Sequence, residues 1–363
     1  MSTKEPAMKK LRTTNDFSSF HVENSHFESL PNEILLKIVD YLQVRGLLRC
    51  GQTCAKIRTV VQDESLWKKV NFSSESMVPT GLLQLILDHG CEYLNISQGY
   101  YCISDELLGQ LTLNQDSKLK FLNLDLTFYF AVIRYRSLIF DPLLTSCHSL
   151  EKLQLTNLDL NSSLIKTICT QNSKTLKVLN LNWCTSPSSP YMQLSVVRPI
   201  IDECVGLNEL IFCKTHLSEG SMDYLVKNIT PKLSKLCLTN FVQDKHIEIL
   251  VGRCTNLTEL NLVHTGITTD SLNHIIENLQ TTLEKLGLPG RFFWRPGEHF
   301  TKLFELKAMK KLTVLDLGSV LISGRDLQGK LESLTKQVPN AEIVHKAPTH
   351  GKQVVSGNFR CYE

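Results

Sequence analysis

Leucines recur along most of the chain in the pattern L-x-x-L-x-L. Eight copies begin at Leu119, Leu150, Leu176, Leu207, Leu233, Leu257, Leu283 and Leu312, with Phe212 in place of the last leucine in one of them, and a partial copy begins at Cys91. The second leucines of successive full copies are 24 to 31 residues apart. Because alternate side chains of a strand face opposite sides, each copy predicts a short strand whose leucines point inward. One such unit cannot bury its own apolar face, so we expect the units to stack.

The residues between the predicted strands follow a helical period. In residues 269–280, apolar side chains recur at Leu272, Ile275, Ile276 and Leu279, and residues 160–173 have a similar pattern. Each repeat therefore predicts a strand followed by a helix that returns on the other side. The expected fold is an α/β horseshoe solenoid in which parallel strands line the concave side.

Residues 27–71 do not follow the repeat. Pro31 and Glu33 are typical of the first turn of a helix. Three apolar clusters follow: Ile34, Leu35, Ile38 and Leu42; then Leu47, Leu48 and Cys50; then Ile57, Val60 and Val61. Three short helices of this composition have more apolar surface than they can bury among themselves. We therefore predict that this segment binds a partner; the alternative is that its apolar faces only pack on the first repeat.

The segment LPNEILLKIVDYLQVRGLLRCGQTCAKIRTVVQDESLW, from Leu30 to Trp67, resembles an F-box. The LPxE start, the LL pair, the cysteine before the third helix and the DESLW end match that family. Ile57 stands where the family usually has an aromatic residue. The resemblance implies binding to a Skp-type adaptor, which links F-box proteins to the cullin and RING subunits of a ubiquitin ligase. It also implies that the adaptor-facing residues are Leu30, Pro31, Ile34, Leu35, Ile38, Leu42 and Leu48. Trp67 is expected instead to close the module onto the repeats.

The repeats themselves resemble the leucine-rich-repeat family. Cysteines before three of the strands resemble its cysteine-containing subtype: Cys147, Cys204 and Cys254. The predicted organisation is a disordered segment at 1–26, the F-box at 27–71, the repeats at 72–344 and a tail at 345–363. This organisation resembles the S-phase kinase-associated branch of F-box proteins. That resemblance implies phosphorylated cell-cycle targets, a small cyclin-kinase-subunit protein as accessory partner, and a tail that returns along the concave face.

One row of outward-facing strand positions alternates in charge. It contains Glu209, Lys235, Glu259 and Lys285 in four successive copies. Opposite charges on neighbouring strands attract by about 0.2–1 kcal/mol per pair. We therefore predict a ladder that neutralises itself, and the alternative is a row that binds phosphate.

A second group of outward-facing strand positions is apolar in the central copies. It contains Ile211, Cys213, Cys237 and Val263. Exposed clusters of apolar side chains usually mark a contact site. We therefore predict that a partner or the chain's own tail covers this patch. Trp183 either borders the patch as an anchor for a partner or packs under the proline-containing loop that follows it.

Three segments break the regular spacing. Residues 183–193 are rich in turn formers and are a candidate binding loop. Residues 291–297, RFFWRPG, include Arg291 and Trp294, which we expect to contact an accessory partner. Residues 127–140 are apolar, and we expect them to pack as an enlarged convex segment.

Composition narrows the chemistry. The net charge of +3 gives no strong attraction to nucleic acid or anionic membranes. No run of 18 apolar residues predicts a membrane span, and no export signal is evident. The twelve cysteines are therefore expected to stay reduced, mostly as small buried apolar residues. Neither a metal site nor a cofactor site is expected, because no CxxC pair occurs and Cys50 and Cys54 have no histidine pair at zinc spacing.

The sequence predicts a non-catalytic protein. It contains neither a glycine-rich phosphate loop nor a G-x-S-x-G motif. The predicted function is that of the substrate-recognition subunit of an SCF-type ubiquitin ligase in the nucleus and cytoplasm. The alternatives are a non-degradative interaction scaffold and, less in keeping with the residues, an enzyme.

Overall fold

Every full leucine copy forms a strand in the computed structural model. The structure describes residues 29–72, 82–97, 117–125, 135–136, 140–187, 189–290, 298–319 and 325–346. The chain divides into two compact units, Met1–Phe128 with Ile139–Ser149 and Tyr129–Leu138 with Leu150–Glu363. The architecture is α/β and solenoid-like, with N-terminal helices followed by repeated strand–helix units whose strands are parallel.

The first unit passes from short helices directly into parallel strands. Its described elements are α1 (Asn32–Val39), α2 (Val44–Cys50), α3 (Ala55–Val61), a 3-10 turn (Glu64–Trp67), β1 (Lys69–Asn71), α4 (Leu82–Asp88), β2 (Tyr93–Asn95), β3 (Phe121–Asp125) and α5 (Asp141–Thr145). β1 pairs with β2, and β2 pairs with β3. The central residues Val70, Leu94 and Leu122 are in register and buried, so they begin a continuous apolar layer.

The second unit repeats the strand–helix alternation. Its described elements are β4 (Tyr135–Arg136), β5 (Lys152–Thr156), β6 (Leu158–Asp159), α6 (Ser162–Gln171), β7 (Val178–Asn180), α7 (Leu194–Glu203), β8 (Glu209–Ile211), α8 (Glu219–Asn228), β9 (Lys235–Cys237), α9 (Asp244–Arg253), β10 (Glu259–Asn261), α10 (Asp270–Leu279), β11 (Lys285–Gly287), α11 (Glu298–Lys302), a 3-10 turn (Leu303–Ala308), β12 (Val314–Ser319), α12 (Arg325–Gln337) and β13 (Glu342–Lys346). The strands lie in the order β5, β7, β8, β9, β10, β11, β12, β13, and β4 pairs separately with β6.

The second leucines of the copies form the core of the second unit. Each pairs with its counterpart on the next strand, and each is at most 2% exposed: Leu153, Leu179, Leu210, Leu236, Leu260, Leu286 and Leu315. Ile343 continues this row on β13, a strand that the leucine pattern does not mark. The core is therefore one layer of leucines shared by all repeats.

The two helices predicted from their period are present as α6 and α10. On α10, Leu272, Ile275 and Leu279 are buried against the strands, as their spacing predicts. α6 begins after Asn161, whose Oδ1 accepts a hydrogen bond from the Leu164 backbone N–H at 2.7 Å. Such a cap satisfies one of the backbone donors that the first turn of a helix leaves open.

The cysteines before the strands are buried thiols outside any disulfide, as expected for small apolar residues: Cys147, Cys204 and Cys254. Burial raises the pKa of the Cys91 thiol to about 12. It also raises the pKa of the Cys147 and Cys254 thiols to about 11. Because the thiolate is the reactive form, these buried thiols are chemically inert at neutral pH.

Within the described ranges, helices are too short or too polar to span a membrane. The same residues contain no group of three histidine, cysteine or carboxylate side chains placed to hold a metal ion.

Candidate functional site

Large apolar side chains lie exposed on the first helix of the first unit and on the turn that follows it. Ile34 and Ile38 are each 42% exposed, and Leu42, four residues further on, is 37% exposed. Tyr41, three residues after Ile38, is 91% exposed. We call these four residues the N-terminal stripe. Large apolar side chains grouped in this way mark a contact surface.

The opposite face of α1 is packed inside the three-helix module. Leu35 and Val39 are buried there, together with residues of α3 and the following turn. The Trp67 indole is also buried, and its Nε1 donates a hydrogen bond to the Val61 carbonyl at 2.8 Å. The Lys56 Nζ donates to the Leu30 carbonyl at 2.6 Å, which ties α3 to the start of α1. The stripe is therefore displayed by a firmly packed support.

This arrangement corrects one expected adaptor contact and adds another residue. Leu35 is fully buried, so it supports α1 from inside and does not lie on the adaptor-facing surface. Pro31 is exposed, whereas Leu30 and Leu48 are half-buried. The exposed Tyr41 was missed because it lies in the turn after Val39, where the helical period no longer applies.

The charge ladder of the second unit neutralises itself, as predicted. The Lys235 Nζ lies 3.2 Å from a Glu209 carboxylate oxygen and 3.6 Å from one of Glu259. The Lys285 Nζ lies 3.0 Å from the same carboxylate of Glu259. Burial opposes the charge of Lys235, but the carboxylates of Glu209 and Glu259 outweigh it and raise the pKa of Lys235. A phosphate group would have to compete with these carboxylates, which argues against a phosphate site on this row.

Three of the four residues of the predicted apolar patch, Cys213, Cys237 and Val263, are buried, and Ile211 is half-buried. The hypothesis that a partner or the chain's own tail covers this patch stays a prediction. Val263 packs over Gly318, where a Cβ would collide with its side chain and where φ is +57°, a conformation that favours glycine. Gly287 on β11 also leaves room for the Val263 side chain, because a Cβ there would lie 2.9 Å from Val263 Cγ2.

Cys213 and Cys237 form a disulfide between the ends of β8 and β9. This corrects the expectation that the cysteines stay reduced, although the eight other described cysteines remain thiols. The two residues belong to different register positions on adjacent strands, because Cys237 pairs with Ile211 and not with Cys213. The bond therefore crosses the two strands diagonally and removes both sulfurs from the surface.

The predicted binding loop at residues 183–193 is held by its own side chains. The Ser186 hydroxyl accepts a hydrogen bond from the Gln193 backbone N–H at 2.9 Å. The Ser189 hydroxyl accepts from the Gln193 side-chain amide at 2.9 Å and from the Tyr191 backbone N–H at 3.1 Å. Trp183, at the start of this loop, is half-buried at the end of β7. The loop is thus an ordered feature, and its binding role stays a prediction.

Several predicted sites lie outside the described residues. Arg291 and Trp294 belong to one such segment, and so do residues 1–26 and the tail beyond residue 346. Of the apolar segment at residues 127–140, the structure describes only residues 135–136 and Phe140.

Comparison with known proteins agrees with this geometry at the N-terminus. The F-box-like family matches residues 27–73, which contain the three helices and the N-terminal stripe. The chain carries an F-box-like domain followed by leucine-rich repeats. The F-box/LRR-repeat protein 12 of Bos taurus is 30% identical over 87 residues, which are 24% of this chain. The match spans only about a quarter of that relative, 27% of its length.

Two solved structures are similar to this chain at low identity and low TM-score. A chain of the Rad7 and Elc1 complex in yeast is 15% identical, with a TM-score of 0.44, and the match covers 81% of this chain and 89% of that one. The LRR protein LIC12759 of Leptospira interrogans is 18% identical, with a TM-score of 0.35, and the match covers 76% and 69%.

Proposed function

We propose that this chain is the substrate-recognition subunit of an SCF-type ubiquitin ligase. Its F-box-like domain binds a Skp-type adaptor, which recruits cullin and RING subunits, and its repeats hold a protein target. The observation that carries the proposal is the N-terminal stripe, in which four large apolar side chains are exposed on a domain whose interior is otherwise well packed. Covering this stripe with a partner would remove apolar surface from water, which is the main favourable term in protein association.

The connection between the F-box-like domain and the repeats suits a positioning role. β1 begins two residues after the buried Trp67 and pairs with β2 of the first repeat. The Lys68 carbonyl accepts hydrogen bonds from the backbone N–H groups of Glu92 and Tyr93, each at 2.9 Å. A stiff joint of this kind keeps a bound target at a high effective concentration near an adaptor-bound enzyme. The enzyme partner, and not this chain, would perform the transfer chemistry.

The finer features of the target rest on resemblance. We propose phosphorylated cell-cycle proteins as targets, held on the strand face of the repeats with the help of a cyclin-kinase-subunit protein. The lysines of the charge ladder are already paired with carboxylates, which supports recognition of a phosphate by an accessory protein and not by this row. Action in the nucleus and cytoplasm belongs to the same proposal.

Co-purification tests the first step. The wild-type chain is compared with an Ile34→Asp/Ile38→Asp variant and with Ile249→Asp, a matched control because Ile249 is 39% exposed on α9 of the second unit. We expect the stripe variant to lose the adaptor and cullin and the control to keep both. Equal recovery with all three proteins would contradict the proposal. A chain that binds adaptor and cullin but never supports ubiquitin transfer to a bound target would be the interaction scaffold instead.

A further inference from the structure

A tyrosine belongs to the N-terminal stripe of the first unit. Tyr41 is 91% exposed, the highest value among the exposed large apolar side chains of the described residues. It lies two residues after the end of α1 at Val39, and α2 begins three residues further on at Val44. The Leu42 backbone N–H donates to the Val39 carbonyl at 2.9 Å and closes this turn. The phenol of Tyr41 is therefore presented to solvent on a short connection between two helices.

The other tyrosines with described side chains are less accessible. The Tyr93 ring is half-buried and stacks on a neighbouring ring with centroids 4.0 Å apart. The Tyr224 hydroxyl donates a hydrogen bond to an Asp202 carboxylate oxygen at 2.6 Å. Tyr191 is 38% exposed, and its ring contacts a second aromatic ring. An enzyme that modifies tyrosine would therefore reach Tyr41 most easily among these described side chains.

The residues around Tyr41 explain why an uncharged phenol suits a contact surface. Ile38, three residues before it, is 42% exposed, and Leu42, the next residue, is 37% exposed. A tyrosine ring adds apolar area to such a contact, and its hydroxyl usually finds a hydrogen-bond partner when it is covered. Docking of the adaptor on the stripe is thus compatible with Tyr41 in its unmodified form.

A phosphoryl group on the phenol oxygen would change this balance. Phosphotyrosine carries a charge of about −1.5 to −2 at pH 7, and beside apolar side chains it disrupts a contact through the cost of desolvation. The adjacent Asp40 is exposed, and its carboxylate repels a phosphate. Lys37, four residues before Tyr41, is also exposed, so water and salt screen its attraction for the phosphate. The centre of an apolar contact surface would become anionic.

We propose that Tyr41 is a tyrosine-kinase site and that its phosphorylation prevents the adaptor from docking. The γ-phosphoryl group of ATP is transferred to the Tyr41 hydroxyl oxygen, the phenolic proton passes to a base of the kinase, and ADP leaves. A tyrosine phosphatase reverses the change by hydrolysis, which releases inorganic phosphate and restores the phenol. The consequence for the adaptor rests on the proposed function, whereas the selective reaction of Tyr41 does not.

Phosphorylation and adaptor binding exclude each other. An adaptor that covers the stripe shields Tyr41 from the kinase, and a phosphate on Tyr41 weakens adaptor binding. Because linkage between two binding events is reciprocal, both effects should be observed in the same protein. The modification would therefore control how much of the chain is available for assembly with the adaptor, and it would leave the leucine core of the repeats unchanged.

Selective phosphorylation tests the site itself. The full-length chain and a tryptic digest of it are each treated with ATP and the purified catalytic domain of a broad-specificity tyrosine kinase. Mass spectrometry measures the rate at each tyrosine, and the rate in the digest corrects for local sequence preference. After this correction, Tyr41 of the native chain should react at least about tenfold faster than Tyr93 and Tyr224, which react only when the fold opens locally. A saturating Skp-type adaptor should slow the reaction of Tyr41 at least about tenfold.

Calorimetry then tests the consequence for the adaptor. The chain phosphorylated on Tyr41 is isolated on an anti-phosphotyrosine column. It should bind a purified Skp-type adaptor at least about 100-fold more weakly than the unmodified chain, because an uncompensated buried charge opposes docking. Phosphatase treatment should restore the original Kd, and kinase treatment should not change the Kd of a Tyr41→Phe variant. Tyr224→Phe is the matched control, because it removes a phenol from α8 of the second unit and should respond to the kinase as the wild type does.

The failures of the site, of the regulation and of the proposed function are distinguishable. If the native chain reacts at Tyr41 no faster than at Tyr93 and Tyr224 after correction, Tyr41 is not a kinase site. If the phosphorylated chain binds the adaptor within about twofold of the unmodified chain, the regulatory role is wrong while the proposed function stands. If the unmodified chain does not bind the adaptor, the proposed function is wrong, and so is the regulatory role.

Discussion

Replacing Ile34 and Ile38 by alanine removes the centre of the N-terminal stripe without disturbing the interior of the F-box-like domain. Each side chain is 42% exposed. Because burying a whole aliphatic side chain stabilises by about 1.5–3 kcal/mol, covering the exposed part of each contributes about 1 kcal/mol. The double variant should therefore bind a purified Skp-type adaptor about 2 kcal/mol more weakly, roughly a 30-fold increase in Kd.

Two further variants separate binding from folding. Ile249→Ala removes a side chain that is 39% exposed on another surface, so its adaptor affinity should equal that of the wild type. Leu35→Ala removes a fully buried side chain and should lower the free energy of unfolding by about 2–5 kcal/mol. Isothermal titration calorimetry measures the affinities, and urea denaturation measures the stabilities.

Two results would refute this assignment of the adaptor contact. If the Ile34→Ala/Ile38→Ala variant keeps its unfolding midpoint and binds the adaptor within twofold of the wild type, the stripe is not the adaptor contact. If Leu35→Ala stays folded and weakens adaptor binding more than the double variant does, the assignment of the two faces of α1 is reversed.

Three further predictions concern the second unit. Lys235→Gln should lower the free energy of unfolding by about 0.5–1 kcal/mol at low salt. This difference should shrink in about 1 M NaCl, where the electrostatic screening length is roughly 3 Å. A difference that does not change with salt would contradict a stabilising role of the charge ladder. Burial lowers the pKa of His246, although its Nε2 lies 3.0 Å from an Asp223 oxygen. The contribution of the neutral His246 to stability should therefore be fully present above a pH of about 6.5, the unfolded-state pKa, and be lost as the pH falls towards the lower folded-state pKa. A His246→Gln variant should lose less stability between about pH 7 and pH 5, and parallel curves for the two proteins would refute this. A reductant should lower the thermal midpoint of the wild type, because the Cys213–Cys237 bond closes a loop with a sequence separation of 24 and stabilises by about 3 kcal/mol; an equal drop in the Cys213→Ala/Cys237→Ala variant would show that the bond is not responsible.

The repeat pattern was sufficient to predict the strands that carry the leucine copies and their register, but not β13, which lacks the pattern. The alternation of side chains fixes which leucines point inward, and parallel stacking then places Leu179 beside Leu210. The same register brings Lys235 between Glu209 and Glu259, so the charge ladder was predictable as well. These features depend only on the spacing of residues along the chain, which can be read from a single sequence.

The errors arose where neighbouring strands decide the outcome. Val263 occupies an outward-facing position, but Gly318 on a later strand lets it pack into the array. Cys213 was expected on the same surface, but it is bonded to Cys237 across two strands. Leu35 is one of the regularly spaced apolar residues of α1, but this spacing does not show which of them face the other helices. Each error concerns contacts between distant residues, which spacing along the chain does not report.

The pairing of β1 with β2 has a practical consequence for dissecting this protein. β1 ends at Asn71, and Phe72 is 1% exposed and donates its backbone N–H to the Asn95 carbonyl at 2.8 Å. A truncation between Asn71 and Phe72 would leave β2 as an open edge strand. It would also expose apolar side chains on both sides of the cut. Open edges of this kind promote aggregation. Fragments and chimaeras should therefore keep the F-box-like domain together with β1 and β2, and be divided only further along the chain.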